Sequence, residues 1–170
     1  MKAMQTEIAG AAVFTDAIDF TPDSIREGEA LVAGVDQAFP EDRAVSAVVV
    51  LRGAEVVARA SAVTQQSMPY VPGLLAFREG PPVISALESL EVDPDLVVFD
   101  GSGRIHYREA GIATHAGVCF DTPAIGVAKS LLCGRAREPT DELAAGETVP
   151  IEADDSMTAP NGTVVGYAHQ

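Results

Sequence analysis

The sequence predicts an α/β domain on a mixed sheet, an antiparallel meander followed by parallel strands, with helices flanking it. Three observations lead there. Residues 31–64 hold three strand-like runs separated only by Pro40-Glu41-Asp42 and Arg52-Gly53, the spacing of a meander. Residues 95–100, DLVVFD, form a short apolar run tipped by a carboxylate, as a central parallel strand would. A second apolar run, PAIGV at 123–127, follows one helix-length segment later.

Residues 1–30 are polar and acidic with mixed periodicity, and only Thr21-Pro22-Asp23 signals the start of a short helix. Leu31–Phe39 reads as a buried strand interrupted by Asp36. Ala44–Leu51 has strong β propensity, and Arg52-Gly53 turns it into a third strand, Glu55–Thr64. Next comes Met68–Gly80, MPYVPGLLAFREG, where two prolines fix the backbone around Tyr70. A helix is expected over Leu74–Leu90, either continuous or split at Gly80-Pro81-Pro82 into 74–79 and 82–90. Gly101-Ser102-Gly103 is a loop, Tyr107–Phe120 is helix-like, and Ala128–Cys133 should make at least a helical turn. Residues 138–160 read as an acidic loop before a last strand, Thr163–Tyr167, which follows the Asn161-Gly162 turn.

With 170 residues the chain is long enough for one domain with a sizeable core. No run approaches the roughly 18 apolar residues of a membrane span, and no basic-then-apolar leader opens the chain, so a cytoplasmic protein is expected. Cys119 and Cys133 match no metal spacing and read as reduced, packed thiols. The net charge is −14 and only two residues are lysine, Lys2 and Lys129. Such acidity opposes nucleic-acid binding at low ionic strength but suits concentrated salt, where repulsion is screened. The distribution is uneven: from Asp100 to Arg137, five basic residues stand against three acidic ones.

Three carboxylates interrupt apolar surroundings: Asp36 in the first strand, Glu79 in the helix after the proline turn, and Asp100 at a strand tip. Burying a carboxylate is costly unless it is paired or bound to a cation. Pairing the first and fourth strands at the centre of the sheet would make Asp36 and Asp100 neighbours, with Glu79 reaching over from its helix. That oxygen cluster suits Mg²⁺ or Mn²⁺; the plainer reading makes each a solvated loop-end or helix-capping carboxylate. Gly101-Ser102-Gly103 lacks the third glycine of a dinucleotide fingerprint. Pro69–Pro72 has the spacing of a polyproline ligand, but its flanks look buried. His106 and His115 are candidates for phosphate or proton handling, with His115 read as a packed residue.

Taken together, MPYVPGLLAFREGP, DLVVFDGSGRIHYREAGIATHAGV and DTPAIGVAKSLLCG closely resemble endonuclease V, the deoxyinosine-specific repair nuclease. The resemblance covers about residues 31–135 in order, and more weakly the last strand. It implies a ribonuclease H-like fold and Mg²⁺-dependent hydrolysis, with Mn²⁺ as a substitute, of the second phosphodiester bond 3′ to deoxyinosine. The implied products are a 5′-phosphate and a 3′-hydroxyl. The partner is DNA containing deoxyinosine, with inosine-containing RNA as the alternative, and the protein is expected to be a monomer. Asp36, Glu79 and Asp100 match the family's metal-binding acids, and His106 and Lys129 match polar positions beside metal and phosphate. Pro69, Tyr70, Val71 and Pro72 match the wedge that fills the gap left by a flipped base, with Val71 in place of the usual isoleucine. Gly73, Leu75, Gly101, Gly111 and Ala128 match the pocket for the extruded base. The family usually continues past Gly166-Tyr167 into a further strand and a histidine-bearing segment. Residues 1–170 are therefore expected to form one catalytic domain without that C-terminal part. A module that binds nucleic acid without cutting it is the competing expectation.

Overall fold

In a computed structural model of the chain, which describes residues 1–16, 18–66, 69, 71 and 73–170, the meander and the parallel strands join as one five-stranded sheet. Its strands are β1 (Leu31–Ala38), β2 (Arg43–Arg52), β3 (Glu55–Gln65), β4 (Leu96–Asp100) and β5 (Ala124–Val127), in the order β3-β2-β1-β4-β5. The β1–β2 and β2–β3 pairs are antiparallel, and the β1–β4 and β4–β5 pairs are parallel. The apolar runs end up central because alternate residues face one layer of helices. Ala33, Val35, Val48, Val50, Val97 and Phe99 pack there against Ala76, Val83 and Ala86 of α3 (Leu75–Glu88) and Ile112, Ala113 and Ala116 of α4 (Ile112–Phe120).

The helix expected after the proline turn is continuous rather than split. Pro81 and Pro82 sit inside α3, where each removes a helical hydrogen bond at a usual cost of about 3 kcal/mol. Packing outweighs it: Pro82 is buried with Glu79, Val83 and Ala86 along the sheet-facing side. The second expected helix begins late. Residues 107–110 are spent on turns in which Glu109 takes a left-handed φ of 51°, and α4 starts after Gly111.

Three further elements depart from expectation. Residues 2–11, which carry little periodicity, form a helix, α1 (Lys2–Ala11). A six-residue helix, α2 (Pro22–Glu27), follows Thr21, whose side chain and Ser24 cap each other as Thr21-Pro22-Asp23 suggests. Residues 128–133 are bends, not a helical turn. Within the stretch read as an acidic loop, β7 (Thr148–Glu152) pairs with β6 (Arg135–Ala136) and β8 (Val164–His169) as a second, antiparallel sheet. Ile151, Ala153, Ala159 and Val165 form its own small core, with Ile105 against them. No helix among the described residues is long and apolar enough to cross a membrane.

Candidate active site

Sheet register brings two of the three carboxylates together. The parallel β1–β4 ladder runs from Val32 opposite Leu96 to Val35 opposite Phe99. One step on, Asp36 and Asp100 lie side by side at the same end of adjacent strands. Both are exposed, unlike the buried carboxylates their apolar neighbours suggest. Asp36 accepts from the Gln37 amide at 2.8 Å, and Asp100 lies 3.6 Å from the Lys129 ammonium. Lys129 reaches that place because Val127, two residues earlier, is paired with Asp100.

Glu79 is the buried member, 6% exposed on the sheet-facing side of α3. Its Oε2 has no hydrogen-bond partner among the described residues. Burial pushes its carboxyl up to about 7; Arg78 pulls it down, and the charges of Asp100 and then Asp36 push it further up. The Glu79 carboxyl therefore feels both strand-end carboxylates. Among the described residues, no three His, Cys, Asp or Glu side chains are arranged to chelate a cation as they stand, in keeping with the mutual repulsion of like charges. The donor set still fits a divalent cation on one observation. A buried carboxylate oxygen without a donor, facing two more carboxylates, is a costly arrangement that a bound cation would relieve.

His106 lies in the loop between β4 and α4. Its ring is 4% exposed, and Nδ1 accepts from the Arg108 amide at 3.2 Å. That leaves the proton on Nε2, which donates to the Gly73 carbonyl at 3.2 Å. Burial lowers its pKa to about 4, so the imidazole is neutral near pH 7. The neutral form stabilises the fold fully above pH 6.5, and this stabilisation is lost as pH falls towards 4. Wild type should therefore lose up to about 3 kcal/mol more than a His106→Gln variant across that window, read from urea midpoints. His115 is half-buried, bonded to the Ala110 carbonyl and edge-on to Phe77.

Of the four turn residues expected to form a wedge, Pro69 and Val71 are exposed; Tyr70 and Pro72 lie outside the described residues. Gly73 is buried with a φ of 74°, the left-handed value a turn of this kind demands at its third position, and Leu74 N–H closes the turn on the Val71 carbonyl at 3.0 Å. A side chain on Gly73 would press on the Tyr107 ring. Leu75 opens α3.

Gly101 and Gly111 bracket a loop on which three backbone segments converge. Gly111 N–H donates to the Gly103 carbonyl at 3.0 Å and Ala113 N–H to the Ser102 carbonyl at 3.2 Å. A Cβ on Gly111 would strike the Ser102 carbonyl, and one on Gly126 would strike the Gly101 carbonyl and the Gly103 amide. Sequence reasoning missed Gly126, although a glycine inside the apolar PAIGV strand is itself a sign of close backbone approach. Gly126→Ala should cost about 1–3 kcal/mol by forcing this loop outward, checked by chemical denaturation. Ala128 is exposed beyond β5. With Ser102, Gly103 and Lys129 it lines a groove of about 1050 Å³ between α4, β5 and β8. A smaller cavity of about 230 Å³, lined by Leu87, Asp93, Pro94 and Phe120, lies towards the opposite end of β4.

Most basic residues of the Asp100–Arg137 stretch are committed internally. Arg104 pairs with Glu109 at 2.9 Å and stacks on Phe14. Arg135 and Arg137 share Glu152, and Arg108 bonds Gln5 and Gly73. The Lys129 side chain remains 91% exposed.

Residues 14–169 match the family model described as Endonuclease V. The chain is 66% identical over 170 residues to the endonuclease V of Natronomonas pharaonis, covering 100% of this chain and 68% of that protein. The crystal structure of endonuclease V from Streptomyces avermitilis superposes with a TM-score of 0.81 at 39% identity, over 99% of this chain and 69% of that one. Endonuclease V of Ciona intestinalis, solved in complex with a 24mer DNA containing an inosine followed by a ribo-adenosine, superposes with a TM-score of 0.79 at 26% identity. That match covers 99% of this chain and 75% of that one.

Proposed function

The chain belongs to the endonuclease V family, a family of nucleases, and on that premise we propose that it is a DNA repair endonuclease. It recognises deoxyinosine, the product of adenine deamination, and hydrolyses the second phosphodiester bond 3′ to it with the help of Mg²⁺. The observation that carries this reading is the set formed by Asp36 and Asp100 at adjacent strand ends with the buried, unpartnered Glu79. The Ciona intestinalis relative, solved on inosine-containing DNA, supports the substrate class.

In this reading Asp36, Glu79 and Asp100 hold the cation. Mg²⁺, when bound, supplies positive charge against the scissile phosphate and makes a water more acidic for hydrolysis. Lys129, exposed beside Asp100, adds a mobile positive charge where a phosphate would lie. Glycines 101, 111 and 126 let backbone N–H and C=O groups approach a flipped base closely enough to read its edge. Tyr70 stacks in the gap the base leaves, worth about 1–3 kcal/mol. The short supply of free basic groups means that duplex binding depends on specific contacts more than on bulk charge.

The test is a nicking assay on a duplex with one deoxyinosine, with matched undamaged DNA and inosine-containing RNA alongside, in Mg²⁺ and concentrated salt. The expected product is a single nick at the second bond 3′ to deoxyinosine, with a 3′-hydroxyl end. Preference for the RNA strand would make the protein an inosine-specific ribonuclease. Binding without nicking would leave a non-catalytic nucleic-acid-binding protein.

A further inference from the structure

Gln5 is 0% exposed, the most deeply buried polar side chain of a helix that the sequence scarcely announces. Its Nε2 donates to the Gly73 carbonyl at 2.8 Å, across 68 residues of chain. Its Oε1 accepts from Arg108 Nε at 2.6 Å. Arg108 Nη2 donates to the same Gly73 carbonyl at 3.2 Å, and His106 Nε2 approaches it at 3.2 Å. The ring of contacts leaves no freedom of orientation. The guanidinium fixes which end of the Gln5 amide is oxygen, and the Arg108 backbone amide fixes the imidazole tautomer. Three donors on one carbonyl, one of them charged, make a stronger hold than a loop residue needs for satisfaction alone.

The carbonyl so held belongs to the residue immediately after the Pro69–Pro72 motif and two before Leu75, so it joins the expected wedge to the expected base pocket. The loop that supplies His106 and Arg108 is the one bracketed by Gly101 and Gly111. We infer that Gln5, with Arg108 and His106, forms a clamp that sets the position of the wedge turn against the base pocket, making Gln5 and Arg108 positioning residues for lesion recognition. This rests on the functional reading above. In it, α1 is part of the recognition machinery although it carries no group that touches the reacting atoms. The clamp fixes Gly73, at the end of that motif, before DNA arrives, so that binding does not have to set it.

Gln5→Glu is the sharpest variant. It keeps the size and the Arg108 contact, but no N–H faces the Gly73 carbonyl. Nicking of the deoxyinosine duplex is measured under saturating Mg²⁺, together with amide exchange of residues 69–77 in the free protein. The clamp predicts a KM about tenfold higher with kcat within about twofold. It also predicts exchange at the Leu74 amide about tenfold faster, with the rest of the sheet unchanged. A loss of folded protein alone would lower kcat and leave KM where it was, and that outcome overturns the proposal. So does unchanged exchange. If Gln5→Glu fails to fold, Arg108→Lys breaks the same clamp from its half-exposed side and must give the same KM effect. If wild type shows no preference for deoxyinosine, the functional reading falls, and the exchange result alone decides whether the clamp fixes the turn.

Discussion

Replacing Asp100 by alanine is expected to lower nicking of a deoxyinosine duplex on the order of a thousandfold while leaving lesion binding intact. The fold should hardly notice. Asp100 is exposed at the tip of β4, and its one ion pair among the described residues joins it to a Lys129 side chain that is 91% exposed, at 3.6 Å. Exposed pairs of that kind contribute about 0–1 kcal/mol. Asp36→Ala should behave alike, since its only described hydrogen bond goes to the neighbouring Gln37 amide. Single-turnover nicking and gel-shift binding on the same oligonucleotide separate the two effects. Nicking retained in either variant would mean that the strand-end carboxylates do not serve the chemistry.

Glu79→Gln should stabilise the metal-free protein while inactivating it. The Glu79 carboxyl titrates near 7 because it is buried and faces Asp100 and Asp36. In an unfolded chain it would titrate near its ordinary value of 4.5. The folded state therefore holds the proton longer. The stability it carries is complete below pH 4.5 and is lost as pH rises through 7. At pH 8 the ionised carboxylate costs about 3 kcal/mol. Glutamine removes that cost but leaves a poorly partnered amide worth roughly 1 kcal/mol against it, for a net gain of about 2 kcal/mol. Urea unfolding in the absence of divalent ions should show the advantage of Glu79→Gln over wild type growing from pH 5 to 8. His106 works in the opposite sense over pH 4–6.5, so the two slopes partly cancel in wild type and emerge only in the single variants. A residue that destabilises the free protein is the expected signature of a functional site.

The sheet was legible because its strands obey simple patterns. β2 and β3 alternate across a short turn, and β4 is apolar enough to be central. From that order the neighbourhood of Asp36 and Asp100 follows, since a crossover helix after the meander returns β4 beside β1. The second sheet was hidden. β7 reads TVPIE, with a proline and flanking acids, and its partner β6 is only two residues long. The helical reading of 128–133 failed for the opposite reason: a helix-compatible sequence is drawn out by the β6 pairing that starts at Arg135. The sequence shows a local excess of basic residues between Asp100 and Arg137 but not what they pair with. The structure spends Arg104, Arg108, Arg135 and Arg137 on internal partners. Gln5 gave no signal at all. A lone glutamine in a short polar helix becomes informative only when its far partner, Gly73, is known.

Asp36, Glu79 and Asp100 are expected to form one cation site. The most direct measurement is Mn²⁺ binding to the DNA-free protein by electron paramagnetic resonance, in wild type and in Asp36→Asn, Glu79→Gln and Asp100→Asn. Saturable binding is expected in wild type, weakened about tenfold or more in each variant, with all three still folded. Binding of equal strength in all four proteins would contradict it.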